Sequence, residues 1–135
     1  MKEAISISLG SSQRDFDSTL DLLGESVRVR RMGTDGDRAT MMAHFGEMDG
    51  KVDAFGLGGA DIGLRVGDQT YTLHSVAPLV AAARITPLVD GSALKNTLER
   101  TVAQTIDDLL EPSQPRRALI VSAADRWGMA TSFLG

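Results

Sequence analysis

The sequence predicts a single α/β domain built on a mainly parallel sheet. Short β-rich runs alternate with helical stretches, an order that requires crossover connections between parallel strands. At two places, β-rich runs follow one another across a glycine turn, which predicts one or two β-hairpins added to that sheet. A length of 135 residues suits one domain, and an apolar share of 42% is ordinary for a chain that buries one core.

Positions 4–9, Ala4-Ile5-Ser6-Ile7-Ser8-Leu9, alternate apolar and small polar residues and stop at Gly10-Ser11-Ser12, as a strand ending in a polar loop does. Between 19 and 32, Leu20 and Leu22 are followed by Val27 and Val29, with Gly24-Glu25 between them as the hairpin turn. Gly33-Thr34-Asp35-Gly36-Asp37 is a dense turn signal. The helix predicted over 37–48 places Ala39, Met42, Ala43, Phe45 and Met48 on or near its apolar face, and Asp49-Gly50 ends it. Positions 52–57 read as a buried strand leaving through Gly58-Gly59-Ala60-Asp61, and 62–76 as a second hairpin about Gly67-Asp68. Pro78 suits the first turn of a helix over 78–84, and Pro87-Leu88-Val89 reads as a brief strand closed by Asp90-Gly91-Ser92. From Ser92, a candidate N-cap, Leu94, Leu98, Val102, Ile106 and Leu109 recur at helical spacing for nearly five turns, until Pro112 and Pro115 break the pattern. Positions 117–122 form the clearest strand pattern in the chain, and a last helix from about Asp125 carries Trp127, Met129, Ala130 and Phe133. The whole predicts one Rossmann-like three-layer domain over residues 1–135, with no repeat and no dividing linker.

Composition narrows the functional classes. Fourteen basic against 18 acidic residues, a formal net charge of −4, argue against a general nucleic-acid binder, which needs a basic face. The absence of cysteine excludes disulfides and thiolate chemistry. No stretch approaches the ~20 apolar residues of a membrane span, and Met1-Lys2-Glu3-Ala4-Ile5 does not open a secretory leader, so the cytoplasm is the expected compartment. The apolar end at Phe133-Leu134-Gly135 predicts either that the chain is the N-terminal part of a longer protein or that this end packs on a partner, a homo-oligomer included.

In open α/β sheets, ligands sit at the carboxyl ends of the strands. The residues there are Gly10, Ser11, Ser12 and Arg14; Thr34, Asp35 and Asp37; Gly58, Gly59 and Asp61; Asp90, Ser92, Lys95 and Asn96; and Ser122, Asp125 and Arg126. Parallel strands would bring most of them to one edge, where helix N-termini suit an anion. The same residue types also serve as ordinary loop punctuation. Lys95, Asp61 and Asp125 are the candidate catalytic groups.

Three shorter patterns carry less. Gly56-Leu57-Gly58-Gly59-Ala60-Asp61 follows a dinucleotide fingerprint through its second glycine, but Asp61 takes the third glycine's place and the next residues alternate like a strand. Ser92-Ala93-Leu94-Lys95 has the spacing of a Ser–Lys pair, but four-residue patterns recur by chance, and Ser92 as a cap with Lys95 as a solvated cation is the preferred account. His44 and His74 lack metal-ligand spacing, and no metal site is predicted. Asp107, Asp108 and Glu111 gather at a helix C-terminus, against the helix dipole.

With Ser8-Leu9-Gly10-Ser11-Ser12, Gly33 to Asp37, Val52 to Asp61, Val89 to Arg100 and Ser122 to Met129, the chain resembles a bacterial family labelled quinate 5-dehydrogenase. The resemblance runs over essentially the whole chain and is most specific from Asp90 to Arg100. It implies an α/β fold, a quinate/shikimate-type oxidoreductase, NAD or NADP as cofactor, and a longer protein of which this is the first part. It assigns no site residue by residue.

The leading expectation is therefore a dehydrogenase-like domain that binds a small anionic or polyhydroxylated ligand at its strand ends. Two alternatives stay open. One is a non-catalytic ligand-sensing or assembly domain. The other is a metal-dependent hydrolase or phosphotransferase using Asp35, Asp37, Asp61 and Asp125, which requires those carboxylates to converge.

Overall fold

The computed structural model describes residues 1–134. Two compact units are present: Met1–Ile62 with Thr72–Gly91, and Gly63–Tyr71 with the residues from Ser92 on.

The first unit holds a five-stranded sheet. Its strands are β1 (Lys2–Ser8), β2 (Phe16–Leu22), β3 (Glu25–Gly33), β4 (Ala54–Gly58) and β7 (Leu88–Val89), in the order β2-β3-β1-β4-β7. β1 pairs in parallel with both β3 and β4, β4 pairs in parallel with β7, and only β2 is antiparallel, hairpinned onto β3. The expected mixed α/β architecture, mainly parallel with an antiparallel hairpin, is what forms. The hairpin turn is Leu23-Gly24 rather than Gly24-Glu25, because Leu22 pairs with Glu25 and leaves two residues in the loop. Both have positive φ, 53° and 83°, as a turn matching the twist of the strands requires.

The alternation in β1 is the seed of the core. Ile5 and Ile7 point to one face, opposite Phe55 and Leu57 of β4 in register. Against this face packs α1 (Arg38–Met48), through Met41 and Phe45, both fully buried. Phe45 meets Phe55 edge to face with ring centroids 5.2 Å apart, and Val76 and Leu79 close the cluster. The apolar face expected for this helix is corrected by one position: Met41 is buried, whereas Met42 and Ala43 are exposed. Both sets keep helical spacing with Phe45, and the direction of the sheet decides between them. The helix expected over 78–84 is a single turn, α2 (Ala77–Val80). The second expected hairpin forms as β5 (Gly63–Val66) and β6 (Gln69–Thr72), a separate two-stranded sheet.

The second unit departs furthest from expectation. The five-turn helix from Ser92 is three pieces: α3 (Ser92–Asn96), a 3₁₀ turn at Leu98–Thr101, and α4 (Val102–Leu109). Thr97 breaks it, at φ −120° and ψ −84°. Its hydroxyl donates to the Ala93 carbonyl at 2.7 Å, and Thr101 and Thr105 likewise bond back to Leu98 and Thr101, competing with the helical amides. The final helix, α5 (Trp127–Ser132), also crowds this stretch, since a Cβ on Gly128 would stand 2.6 Å from the Lys95 carbonyl oxygen.

The strand expected over 117–122 does not form. This run belongs to neither sheet, and Leu119 and Val121 are 88% and 92% exposed. An apolar run signals a need for burial, but a strand also needs a neighbour whose N–H and C=O groups complete its ladder. The acidic end of α4 has local partners: Asp107 pairs with Arg116, and Asp108 accepts from Gln104 at 3.0 Å. No helix among the described residues is long and apolar enough to cross a membrane.

Candidate functional site

Register places the carboxyl ends of the parallel strands together. Ser8 lies beside both Gly33 and Gly58, and Leu88 beside Phe55. The loops that follow, with Gly10, Ser11, Ser12, Thr34, Asp35, Gly58, Gly59, Asp61 and Asp90, therefore share one edge of the sheet, as expected.

Backbone hydrogen bonds bind these loops to one another. The Thr34 N–H donates to the Ser8 carbonyl at 2.8 Å, Asp35 N–H to Gly10 at 3.1 Å, Gly36 N–H to Leu9 at 2.8 Å, and Leu9 N–H to Gly58 at 3.0 Å. The approach of the first two loops is so close that a Cβ on Gly33 would sit 2.6 Å from the Ser11 backbone. Asp35, at φ +51°, accepts the Ser12 N–H at 2.9 Å. Hydrogen bonds from the Ser12 hydroxyl and amide, helped by Ser11 and the Arg31 charge, hold its carboxyl below the usual range. Asp90 accepts the Ile62 N–H at 2.7 Å, which ties the end of β7 to the exit of β4.

Two of the expected ligand devices are already occupied by the chain itself. The N-terminus of α1 is closed by Asp37, which accepts the Ala39 and Thr40 amides at 2.9 and 3.3 Å and the Thr40 hydroxyl at 2.7 Å. The turn at Gly58-Gly59 opens β5 and not a helix, so it offers no helix N-terminus to a pyrophosphate. Among the described residues, no group of three His, Asp or Glu side chains is arranged to hold a metal ion.

What the edge does provide is a pair of guanidinium groups. Gly10 lacks a side chain, and the point where its Cβ would stand lies 2.6 Å from Arg14 Nη2, 3.0 Å from Arg31 Nη2 and 3.3 Å from Ser8 Oγ. Arg31 is anchored by its other nitrogen, Nη1, which donates to the Ser11 carbonyl and to Asp15 Oδ1, each at 2.9 Å. Arg14 has no acidic partner among the described residues. Sequence reasoning included Arg14 but missed Arg31, which lies inside a strand run. The available signal was the cluster Arg28-Val29-Arg30-Arg31, in which alternation sends Arg31 to the opposite face from its two neighbouring arginines.

The remaining candidates belong to the second unit. Asn96 donates to the Ser92 carbonyl at 2.9 Å. Lys95 Nζ meets Asp125 Oδ1 at 2.7 Å, Arg126 Nε meets Asp125 Oδ2 at 3.2 Å, and Arg126 also pairs with Glu99. Lys95 is thus corrected from a solvated cation to a paired one, with its side chain 15% exposed. The expectation that Asp125 and Arg126 join the sheet edge rested on a strand at 117–122. That strand does not form. These ion pairs join α3 and the 3₁₀ turn to the start of α5, a structural task.

Residues 3–90 match a protein family described as a domain of unknown function, DUF8753. The chain belongs to that family. The DUF8753 span covers nearly all of the five-stranded sheet and ends at Asp90, so it contains every strand-end loop described above and both arginines. No curated protein and no solved structure matches the chain. The family match corrects the resemblance to quinate 5-dehydrogenases: no dehydrogenase family is found, and NAD and NADP lose the basis on which they were expected. Glycine- and serine-rich loops between strands recur wherever parallel strands turn, and here they misled.

Proposed function

We propose that this domain binds a small anionic ligand at the carboxyl edge of its parallel sheet, over Gly10 and between Arg14 and Arg31. The observation that carries this is that Arg14 Nη2 and Arg31 Nη2 both close over Gly10, 2.6 and 3.0 Å from the point its Cβ would take, which only glycine permits. Two cations turned toward the same point repel each other, and an anion between them turns repulsion into paired charge-assisted hydrogen bonds. Guanidinium forks suit phosphate and carboxylate geometry. Ser8 Oγ at the same point supports a ligand that also carries hydroxyl groups. The parallel strand order β3-β1-β4-β7 supports a Rossmann-like arrangement, because the chain leaves β1 first to one side and later to the other. Ligands of such sheets lie at that reversal, beside the loop after the first strand.

The test uses orthophosphate and citrate as probes, titrated into the full chain and followed by calorimetry and backbone NMR. Saturable binding with a Kd near or below about 1 mM is expected, weakening as salt rises. Arg14→Gln should weaken it about tenfold, the loss of one charge-assisted contact. Gly10→Ala should abolish it, since its methyl group takes the place of the guanidinium ends, and circular dichroism checks that the chain stays folded. No binding by the wild type, or unchanged binding in both variants, would refute the proposal.

A further inference from the structure

We infer that the second unit carries a separate groove for a long-chain carboxylate. The groove has a volume of about 640 Å³ and is walled by α4, the extended run after Pro115, and α5. That volume falls within the roughly 300–1,000 Å³ of small-molecule sites. Apolar side chains make up most of its walls, with Gln104 and Ser132 among them: Val102, Ile106 and Leu110 from α4 and its end, Leu119 from the extended run, Met129 and Phe133 from α5 and its end. Ile106, Phe133 and Leu119 remain 42%, 38% and 88% exposed, so the walls offer apolar surface that an occupant would remove from water.

Charge selects the kind of occupant. Three ionisable side chains line the groove, Asp107, Arg116 and Arg117. Asp107 and Arg116 neutralise each other in an ion pair. Arg117 has no acidic partner among the described residues. A mainly apolar groove with one uncompensated guanidinium is complementary to a hydrocarbon chain that ends in a single negative charge. A carboxylate matches the fork of two N–H donors that this guanidinium presents. The groove shares no residue with the site over Gly10 and does not depend on it.

The experiment titrates decanoate, decan-1-ol and decyltrimethylammonium into the full chain, below the micelle concentration of each, and reads calorimetry and the fluorescence of Trp127, the single tryptophan. Decanoate should bind saturably, with decanol about tenfold weaker and the cationic chain weaker still. Arg117→Gln should bring decanoate down to the level of decanol and leave decanol unchanged, and Arg117→Lys should restore part of the difference. Ile106→Asp should remove binding of both, and orthophosphate should displace neither. Equal affinity of the wild type for decanoate and decanol, an undiminished preference in Arg117→Gln, or no saturable binding would overturn the inference. If Ile106→Asp fails to fold by circular dichroism, the Arg117 pair decides alone.

Discussion

The carboxylate of Asp49 accepts three successive backbone N–H groups, from Arg84 at 2.9 Å, Ile85 at 3.0 Å and Thr86 at 2.8 Å. It thereby fixes the end of α1 to the segment entering β7. Asp49→Ala leaves those donors without their acceptor and should lower the thermal midpoint clearly, with Asp49→Asn, which keeps one oxygen, falling between. The Thr86 amide first, then those of Arg84 and Ile85, hold the Asp49 carboxyl below its ordinary value. The same direction holds for Asp35 through Ser12, for Asp37 through the Thr40 hydroxyl and amides, and for Asp53 through the Glu3 amide and Lys2. With folded values below the unfolded one, the unfolded chain binds more protons as acid is added. The stabilisation is complete above the unfolded value of about 4 and is lost as pH falls through the folded values. Urea midpoints between pH 2 and pH 6 should therefore drop on the acid side, and less steeply in Asp49→Asn. An identical acid limb in that variant would remove Asp49 from this role.

At the level of elements, the contest between two helical faces gives a direct measurement. Phe45→Ala empties a fully buried position against Phe55 and should cost about 3–5 kcal/mol, whereas Met42→Ala on the exposed side should stay within roughly 0.5 kcal/mol. Urea unfolding of both variants checks which face is buried, and comparable losses would contradict the packing of α1. The β2–β3 hairpin offers a gain. Leu23 is 98% exposed and holds φ +53°, a conformation that disfavours a branched side chain and suits asparagine before glycine. Leu23→Asn should stabilise by about 1 kcal/mol, read as a higher urea midpoint. Both features were half visible beforehand: the hairpin and the helix followed from pattern, while the turn residue and the buried stripe differed by one position. A one-residue shift is small in sequence, yet it moves a side chain by about 100° around a helix or to the other face of a strand.

Across the molecule, amide exchange should separate what the chain holds firmly from what it does not. Ile5, Ile7 and Phe55 lie in paired central strands beneath the core and should exchange slowest, while Ala118 to Val121, outside any ladder, should exchange orders of magnitude faster. Protection at 118–121 equal to that of β1 would mean that this run has found a strand partner. The candidate site divides in the same way. Gly10, Asp35, Gly58 and Asp90 could be placed from strand-end position alone, since four parallel strands must deliver their loops to one edge. Arg31 could not, because its reach to Gly10 passes along the sheet face and depends on the anchors at Ser11 and Asp15. Nor could the use of Asp37 and Asp35 as internal acceptors of backbone amides. What the amino-acid order determined by itself is local: the alternation of Ile5 and Ile7, the turns at glycine, and hence a mixed α/β chain. What tertiary structure alone decided is which expected strands found neighbours, 88–89 beside β4 and 117–122 beside none, and which charges met across the fold. Periodicity expresses a preference for burial, whereas a ladder or an ion pair forms only where a partner arrives from elsewhere in the chain.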